Sequence, residues 1–173
     1  MGKPVRHVPV KLIAGLISRK KCEIDLATKI LKKAFGTIDV ETCLLDFSST
    51  RYYEKEMGSD LKRKFLSFKR LIKPERSYRI KLITNGLEKK LSRDKRRTVN
   101  MDPGYISLTK LVLFTTKNRS HRIYLGRGIY ADMELFFEKK CFRPFPWAYP
   151  DYKRAEYIDF FNSVRKIYSS QLT

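Results

Sequence analysis

The hydrophobic pattern of the first part of the chain predicts alternating strands and helices. "VPVKLIAGLIS" (8–18) is a short run dominated by Val, Leu and Ile, which is typical of a buried strand. In "EIDLATKILKKAFG" (23–36), apolar residues recur at spacings of three, four and seven, acids occupy the first turn and Gly36 ends the pattern, so we expect a helix. "TIDVETCLLDFS" (37–48) alternates apolar and polar residues before it becomes apolar, which predicts a second strand.

The next segments predict a third strand and a second helix. "STRYYEKEMGSD" (49–60) is polar and tyrosine-rich, as a connection would be. "KRKFLSFKRLI" (62–72) alternates apolar and polar residues like a strand. In "KPERSYRIKLITNGLEKKLS" (73–92), Pro74 stands at a helix start and apolar residues repeat at helical spacing, so we predict a helix despite Gly86.

Strands dominate the segment from residue 96 to residue 145. Asp102, Pro103 and Gly104 form a strong turn signal, so we expect a turn there. "GRG" (126–128) predicts a tight hairpin, and Asp151 is a candidate cap for a final helix. The predicted strands are "RRTVNM" (96–101), "LTKLVLFTT" (108–116), "HRIYLG" (121–126), "GIYADMELFFE" (128–138) and "CFRPF" (141–145).

The order of these elements predicts an α+β fold with a mainly antiparallel sheet. The chain begins β-α-β-β-α-β, as in the ferredoxin-like arrangement, and continues with a β-meander and a C-terminal helix. We find no internal repeat, low-complexity tract or Gly/Ser linker, so we expect residues 1–173 to form one domain. Within it, residues 62–97 are a basic segment and residues 96–152 a polar-rich group of strands.

The positive charge of the chain is large and unevenly distributed. The net charge is +20, and residues 62–97 hold 15 Lys and Arg against three acids, a net +12. Such a surface is expected of a protein that binds RNA or another polyanion, although a charged surface that is merely solvated is the alternative. The candidate phosphate contacts are Lys62, Arg63, Lys64, Lys69, Arg70, Lys95, Arg96 and Arg97.

The cysteines and the apolar runs indicate a cytoplasmic protein. Cys22, Cys43 and Cys141 are widely spaced and odd in number, which fits reduced thiols. His7 and His121 lie at no zinc-ligand spacing from them, so we expect neither a metal nor another cofactor. The apolar runs are far shorter than the roughly 20 residues of a membrane helix, so no membrane partner is expected.

Polar residues around the expected turn and in the following strands are candidates for a ligand site. Cations beside hydroxyl and aromatic groups suit phosphate oxygens and ring stacking, but an ordinary solvated sheet face would have the same composition. His121 is the best general acid/base, with Asp102 as its orienting partner, though nothing in their spacing demands catalysis. The candidate ligand-binding residues are Asn100, Asp102, Lys110, Lys117, Arg122, Tyr124, Trp147 and Asp151.

Several segments resemble a bacterial family known as domain of unknown function 4416. They are "VKLIAGLI" (10–17), "YYEKEMG" (52–58), "SFKRLI" (67–72), "NMDPGYISLTKLVLFTTKNRSHRIYLGRGIYADMEL" (100–135) and "PFPWAYPDY" (144–152), so the resemblance covers essentially the whole chain. It implies no particular reaction. Its recurrent polar positions fall on Asn100, Asp102, Lys110, Lys117, His121, Arg122 and Asp151, which implies a site among them. Relatives are often acidic around the second helix, so the resemblance implies that the basic charge here is particular to this chain.

Three functions therefore remain open from the sequence. The first is binding of RNA or another phosphate-rich ligand through a basic, aromatic-containing sheet face. The second is a pocket for a small anion or a nucleotide (for example a GTP-like one), with or without phosphoryl-transfer or hydrolytic chemistry around His121. The chain has no Gly-x-x-x-x-Gly-Lys-Ser/Thr loop, so the sequence gives no support to a Walker-type nucleotide mechanism. The third is a protein-binding scaffold that uses Tyr52 and Tyr53. The sequence leaves the oligomeric state open.

Overall fold

A computed structural model describes residues 2–173. The first part of the chain contains β1 (Val10–Ser18), α1 (Lys21–Phe35), β2 (Ile38–Glu41), β3 (Leu45–Asp46), α2 (Glu54–Met57), β4 (Lys62–Ile72) and α3 (Ser77–Leu91). The remainder contains β5 (Asn100–Ile106), β6 (Lys110–Thr115), β7 (Arg122–Gly126), β8 (Ile129–Glu138), β9 (Cys141–Pro144) and α4 (Ala155–Ser170). Single 3-10 turns at Pro74–Arg76 and Pro150–Lys153 precede α3 and α4.

The nine strands form a single antiparallel sheet in the order β2-β4-β1-β5-β6-β8-β7, with β3 beside β4 and β9 beside β8. The first four strands of this order place β4 between β1 and β2, which is the split βαβ arrangement of a ferredoxin-like start. The α+β class, the antiparallel sheet and the C-terminal helix are thus confirmed.

Helices cover both faces of the central strands. On one face, Leu12 and Leu16 of β1 join a core with residues of α1 and α3. On the other face, Ile13 packs in a core with Phe161 and Val164 of α4. Because β1 is buried on both sides, its residues 12–17 are a continuous apolar run rather than an alternating one. The open sheet face that the sequence suggested is therefore absent over the central strands.

The segment Asn100–Ile106, predicted to contain a turn, is the continuous strand β5. All seven of its residues pair with β1, including Pro103 opposite Ala14. Pairing with β6 begins only at Gly104, so Pro103 lies where β5 has a single neighbour and its missing N–H is tolerated. At Gly104, an added Cβ would lie 2.4 Å from the carbonyl oxygen of Val112. Glycine therefore allows close approach of two strands, and the turn prediction is wrong.

Three further boundaries differ from the prediction. The strand predicted at 37–48 is divided into β2 and β3, which pair with different parts of β4. The strand predicted from residue 96 begins at Asn100, because Arg93 and Arg96 pair across a tight turn. Asp151 caps no helix: α4 begins at Ala155, after an Arg154 that makes no side-chain cap hydrogen bond.

Two other features concern the surface. Gly126–Gly128 forms the predicted hairpin between β7 and β8, with positive φ angles of 115°, 52° and 75°. Within residues 2–173, every helix is too short or too polar to cross a membrane.

Substitution of the glycine in β5 tests the strand assignment. Gly104→Ala should lower the free energy of unfolding by more than about 2 kcal/mol, because the methyl group would collide with the β6 backbone. Gly86→Ala is the matched control: it lies within α3 with no atom within 4 Å of an added Cβ, so it should stabilise by about 1 kcal/mol. Urea denaturation of both variants measures the difference; equal effects would contradict the close approach at Gly104.

Candidate functional site

Two adjoining cavities of about 370 and 250 Å³ form a cleft beside the ends of β5 and β6. The connection before α2, the β6–β7 loop and the segment that precedes α4 form its walls. Both cavities are lined by the same group of polar and aromatic residues. These are Tyr52, Tyr53, Asp102, Thr115, Lys117 and Tyr149.

Arg63 of β4 lies at the base of the larger cavity, with its side chain 4% exposed. Its Nη2 donates to Asp151 Oδ2 over 2.7 Å. The rings of Phe47 and Phe65 lie 4.9 and 5.1 Å from its guanidinium carbon, in the range of cation–π contacts. A Cβ at Gly15 would lie 2.6 Å from Nη1, so only glycine in β1 leaves room for this guanidinium. Within residues 2–173, Nε and Nη1 have no hydrogen-bond partner.

Asp102 of β5 lies where the two cavities meet. Asn100 Nδ2 donates to its Oδ2 over 2.6 Å, and the two residues point to the same side because they are two apart in a strand. Lys81 Nζ lies 3.6 Å from Oδ1, and Arg63 Nη1 lies 3.8 Å from Oδ2. The Asp-Pro-Gly segment therefore positions a partly exposed carboxylate between two buried cations.

A second polar group surrounds the smaller cavity. Arg97 binds Glu56 through both Nε (2.9 Å) and Nη2 (2.6 Å), and its Nη1 donates to Asn100 Oδ1 over 2.8 Å. Glu88 of α3 accepts the backbone N–H of Met101 over 2.5 Å. Burial raises the pKa of Glu88, although the Lys81 cation opposes that rise. These contacts hold the first two residues of β5, Asn100 and Met101, in place.

The third group lies along β7 and β8. Arg122 donates from Nε to Asp132 Oδ2 over 2.8 Å, and from Nη2 to the hydroxyl of Tyr149 over 2.8 Å. Glu134 accepts the backbone N–H of Tyr149 over 2.8 Å. Burial, and then the adjacent Asp132 carboxylate, raises the pKa of Glu134 to about 8. Arg122 and Glu134 together hold Tyr149 at the cleft.

The entrance of the cleft carries two cations that lack acidic partners. Within residues 2–173, no carboxylate lies within 4 Å of Lys117 or Arg119. Lys117 Nζ lies 3.8 Å from the ring centroid of Tyr52, which is 58% exposed. Ligand anions can therefore reach cations that no protein carboxylate neutralises.

The structure brings together five of the eight predicted ligand-binding residues, Asn100, Asp102, Lys117, Arg122 and Asp151. Lys110 lies at the opposite end of β6 from Thr115. Tyr124 packs against Tyr130 near the β7–β8 hairpin.

Trp147 and His121 form an aromatic stack beside the cleft. Their rings lie 5.3 Å apart, Phe145 stacks on the other side of Trp147 at 4.8 Å, and the indole N–H donates to Met133 O. The carboxylate near His121 Nε2 is Asp132, at 3.4 Å. The predicted pairing of His121 with Asp102 is therefore wrong, since Asp102 belongs to the group around Arg63.

The eight predicted polyanion contacts divide into three sets. Arg63 and Arg97 belong to the cleft, while Lys62 and Lys64 pair with Asp46 and Glu41. The other four are exposed: Lys69, Arg70, Lys95 and Arg96.

Sequence reasoning missed several residues of the cleft. Lys81 and Glu88 are seven residues apart in α3, on its buried side, and charged residues among apolar positions of a helix are a usable signal. Asp132 and Glu134 interrupt the buried strand β8 in the same way. Arg119 and Tyr149 carried no such signal. Within residues 2–173, no three His, Cys, Asp or Glu side chains are grouped to hold a metal ion.

Comparison with known families identifies the chain. The family model described as domain of unknown function (DUF4416) matches residues 8–168 of the 173. The chain belongs to the DUF4416 family. No curated protein and no solved structure matches it. For this DUF4416 protein the cleft therefore has to be interpreted from its own chemistry.

The buried carboxyl of Glu134 predicts a pH-dependent stability. The unfolded chain releases this proton near pH 4.5 and the folded protein only near pH 8, so the contribution of Glu134 to stability falls by up to about 1.4 kcal/mol per pH unit between these values. Glu134→Gln removes the titrating group. The unfolding free energy of the variant minus that of the wild type should rise by more than about 1 kcal/mol from pH 5 to pH 8.

Urea titrations of both proteins at several pH values measure this difference. Subtraction of the wild type removes the contribution of the titrating groups that do not interact with Glu134. A difference that stays constant with pH would contradict a raised pKa at Glu134.

Proposed function

We propose that the cleft binds a small phosphate-bearing ligand of the nucleotide class. The single observation that carries the proposal is the pair of unneutralised cations, Lys117 and Arg119, at the entrance of an aromatic-lined cavity. Phosphate groups are recognised by such cations through charge-assisted hydrogen bonds.

The charge balance of the cleft supports an anionic ligand. Its lining contains six Lys and Arg side chains and four Asp and Glu side chains. Arg63 and Arg122 bind Asp151 and Asp132, and Lys81 and Arg97 lie near Asp102 and Glu88. Lys117 and Arg119 are the cations left over, and a ligand with negative charge would neutralise them.

The aromatic lining supports a ligand with a planar ring. Tyr52 and Tyr149 line both cavities, with 58% and 39% of their surfaces exposed, so their rings are available for stacking. Asp102 offers carboxylate oxygens to ring N–H donors at the junction of the two cavities. The larger cavity, at about 370 Å³, lies within the size range of small-ligand sites, roughly 300–1,000 Å³.

Ligand-induced stabilisation tests this proposal. ATP, GTP, CTP, UTP and inorganic triphosphate, each at millimolar concentration, should be compared for their effect on the thermal unfolding midpoint. At least one nucleoside triphosphate should raise the midpoint, because a ligand that binds only the folded state stabilises it. Inorganic triphosphate should raise it less, since it has no ring to stack on Tyr52 and Tyr149.

A matched pair of lysine variants locates the site. Lys117→Gln should weaken binding by about tenfold, the equivalent of about 1.4 kcal/mol, through loss of one phosphate contact. Lys110→Gln removes the same charge at the other end of β6 and should change affinity by less than about twofold. Equal losses in the two variants, or no stabilisation by any nucleotide, would contradict the proposed site.

A further inference from the structure

The exposed side of α3, together with the turn before it, carries cations at both ends of an uncharged centre. The single acid between residues 76 and 91, Glu88, is buried and faces the cleft. The exposed positions repeat at helical spacing and hold no negative charge. They are Arg76, Arg79, Leu82, Ile83, Gly86, Lys89 and Lys90.

Most of the basic segment 62–97 lacks acidic partners. Five of its 15 Lys and Arg side chains, at positions 62, 63, 64, 81 and 97, lie within 4 Å of a carboxylate. The other ten are all exposed, and within residues 2–173 none has such a partner. They are Lys69, Arg70, Lys73, Arg76, Arg79, Lys89, Lys90, Arg93, Lys95 and Arg96.

Gly86 leaves the centre of this basic side open. It lies within a regular helix, where glycine is unfavourable, and no atom lies within 4 Å of the position of an added Cβ. Internal packing therefore does not require glycine here. Without a side chain at Gly86, an extended partner can approach the helix backbone between the cations at the two ends of α3.

A cavity of about 260 Å³ beside Leu82 and Ile83 has apolar walls and guanidinium groups at its edge. Leu82 and Ile83 are 37% and 45% exposed there. Arg79 lies over the ring of Tyr78, with its guanidinium carbon 5.7 Å from the centroid, and Arg127 of the β7–β8 hairpin lines the opposite side. Tyrosine rings and arginine planes are surfaces on which unstacked bases pack.

We infer that the exposed side of α3 is a binding surface for single-stranded RNA. The 15 residues of α3 extend over about 22 Å, so its cations suit a chain of regularly spaced phosphates better than one compact anion. The cavity at Tyr78 takes a base. A membrane surface fits less well, because the apolar side chains are two half-exposed residues beside a glycine rather than a protruding apolar face. An acidic helix of a partner protein also fits less well, because its carboxylates would place no aromatic ring against Tyr78 and Arg79.

This surface is separate from the nucleotide cleft. Lys81, Asn85 and Glu88 line the cleft from another side of α3, and none of them belongs to the exposed basic side. Binding at either place can thus fail without affecting the other.

Fluorescence anisotropy with a labelled 12-nucleotide oligouridylate tests the inference. The first variant combines Arg76→Gln, Arg79→Gln, Lys89→Gln and Lys90→Gln. The matched control combines Lys139→Gln, Lys140→Gln, Lys153→Gln and Lys166→Gln, which removes four exposed cations elsewhere. The α3 variant should lose at least tenfold in affinity and show a smaller dependence on salt, while the control should lose less than about threefold.

A second pair of variants acts at the glycine itself. Gly86→Glu adds a carboxylate in open space, so the protein should fold while RNA affinity falls at least fivefold. Gly86→Ala should have a smaller effect.

Four results would overturn the inference. The first is that the protein does not bind RNA at 50 mM salt, and the second is that the two four-residue variants lose RNA affinity equally. The third is that Gly86→Glu leaves RNA affinity unchanged. The fourth is that the protein binds phosphatidylserine vesicles or polyglutamate as tightly as it binds RNA. The substituted residues of α3 do not line the cleft, so a loss of RNA affinity in these variants reports on α3 and not on the nucleotide site.

Discussion

The ion pair of Arg63 with Asp151 is the contact on which the cleft depends. It joins β4 to the 3-10 turn before α4, 88 residues away in the chain, and both side chains are at most 5% exposed. A buried charge that loses its partner typically costs 3–5 kcal/mol, so the two segments are held together strongly. Burial lowers the pKa of the Arg63 guanidinium, but Tyr152, Asp151 and Asp102 outweigh this effect and the pKa is raised overall. Arg63 therefore stays charged.

The buried Arg63 guanidinium needs space and contacts within the sheet, and these needs explain which residues surround it. Gly15 gives it space within β1, and Phe47 and Phe65 provide aromatic contacts. Asp102 in β5 faces it because the Asp-Pro-Gly segment is extended rather than turned. At the bottom of the cleft, the cations Arg63 and Lys81 are balanced by the carboxylates of Asp102 and Asp151. The positive charge that remains lies at the entrance of the cleft, on Lys117 and Arg119.

Most helices and strands could be predicted from the sequence, because the local pattern of apolar and polar residues determines them. Periodicity in α1, α3 and β4 predicted these elements closely, and the order of the first six predicted the ferredoxin-like start. Local rules failed at Pro103 and Gly104, where sheet pairing overrides a turn signal. The site was predicted only partly. The pairing of Arg63 with Asp151 joins residues 88 apart in the chain, and that of His121 with Asp132 depends on the register of the β7–β8 hairpin. Lys110 and Tyr124 have suitable chemistry but lie at the wrong ends of their strands.

The most direct test of the account is an amide ¹H–¹⁵N spectrum of the labelled protein, titrated with the four ribonucleoside triphosphates in turn. If the cleft around Arg63 is the ligand site, the amides of residues 50–53, 115–122, 149, 151 and 152 should shift with a single saturable dependence on one of these ligands. Amides of α1, on the other side of the sheet from Arg63, should stay unchanged. Saturable shifts confined to any other surface, or none at millimolar nucleotide, would contradict the account.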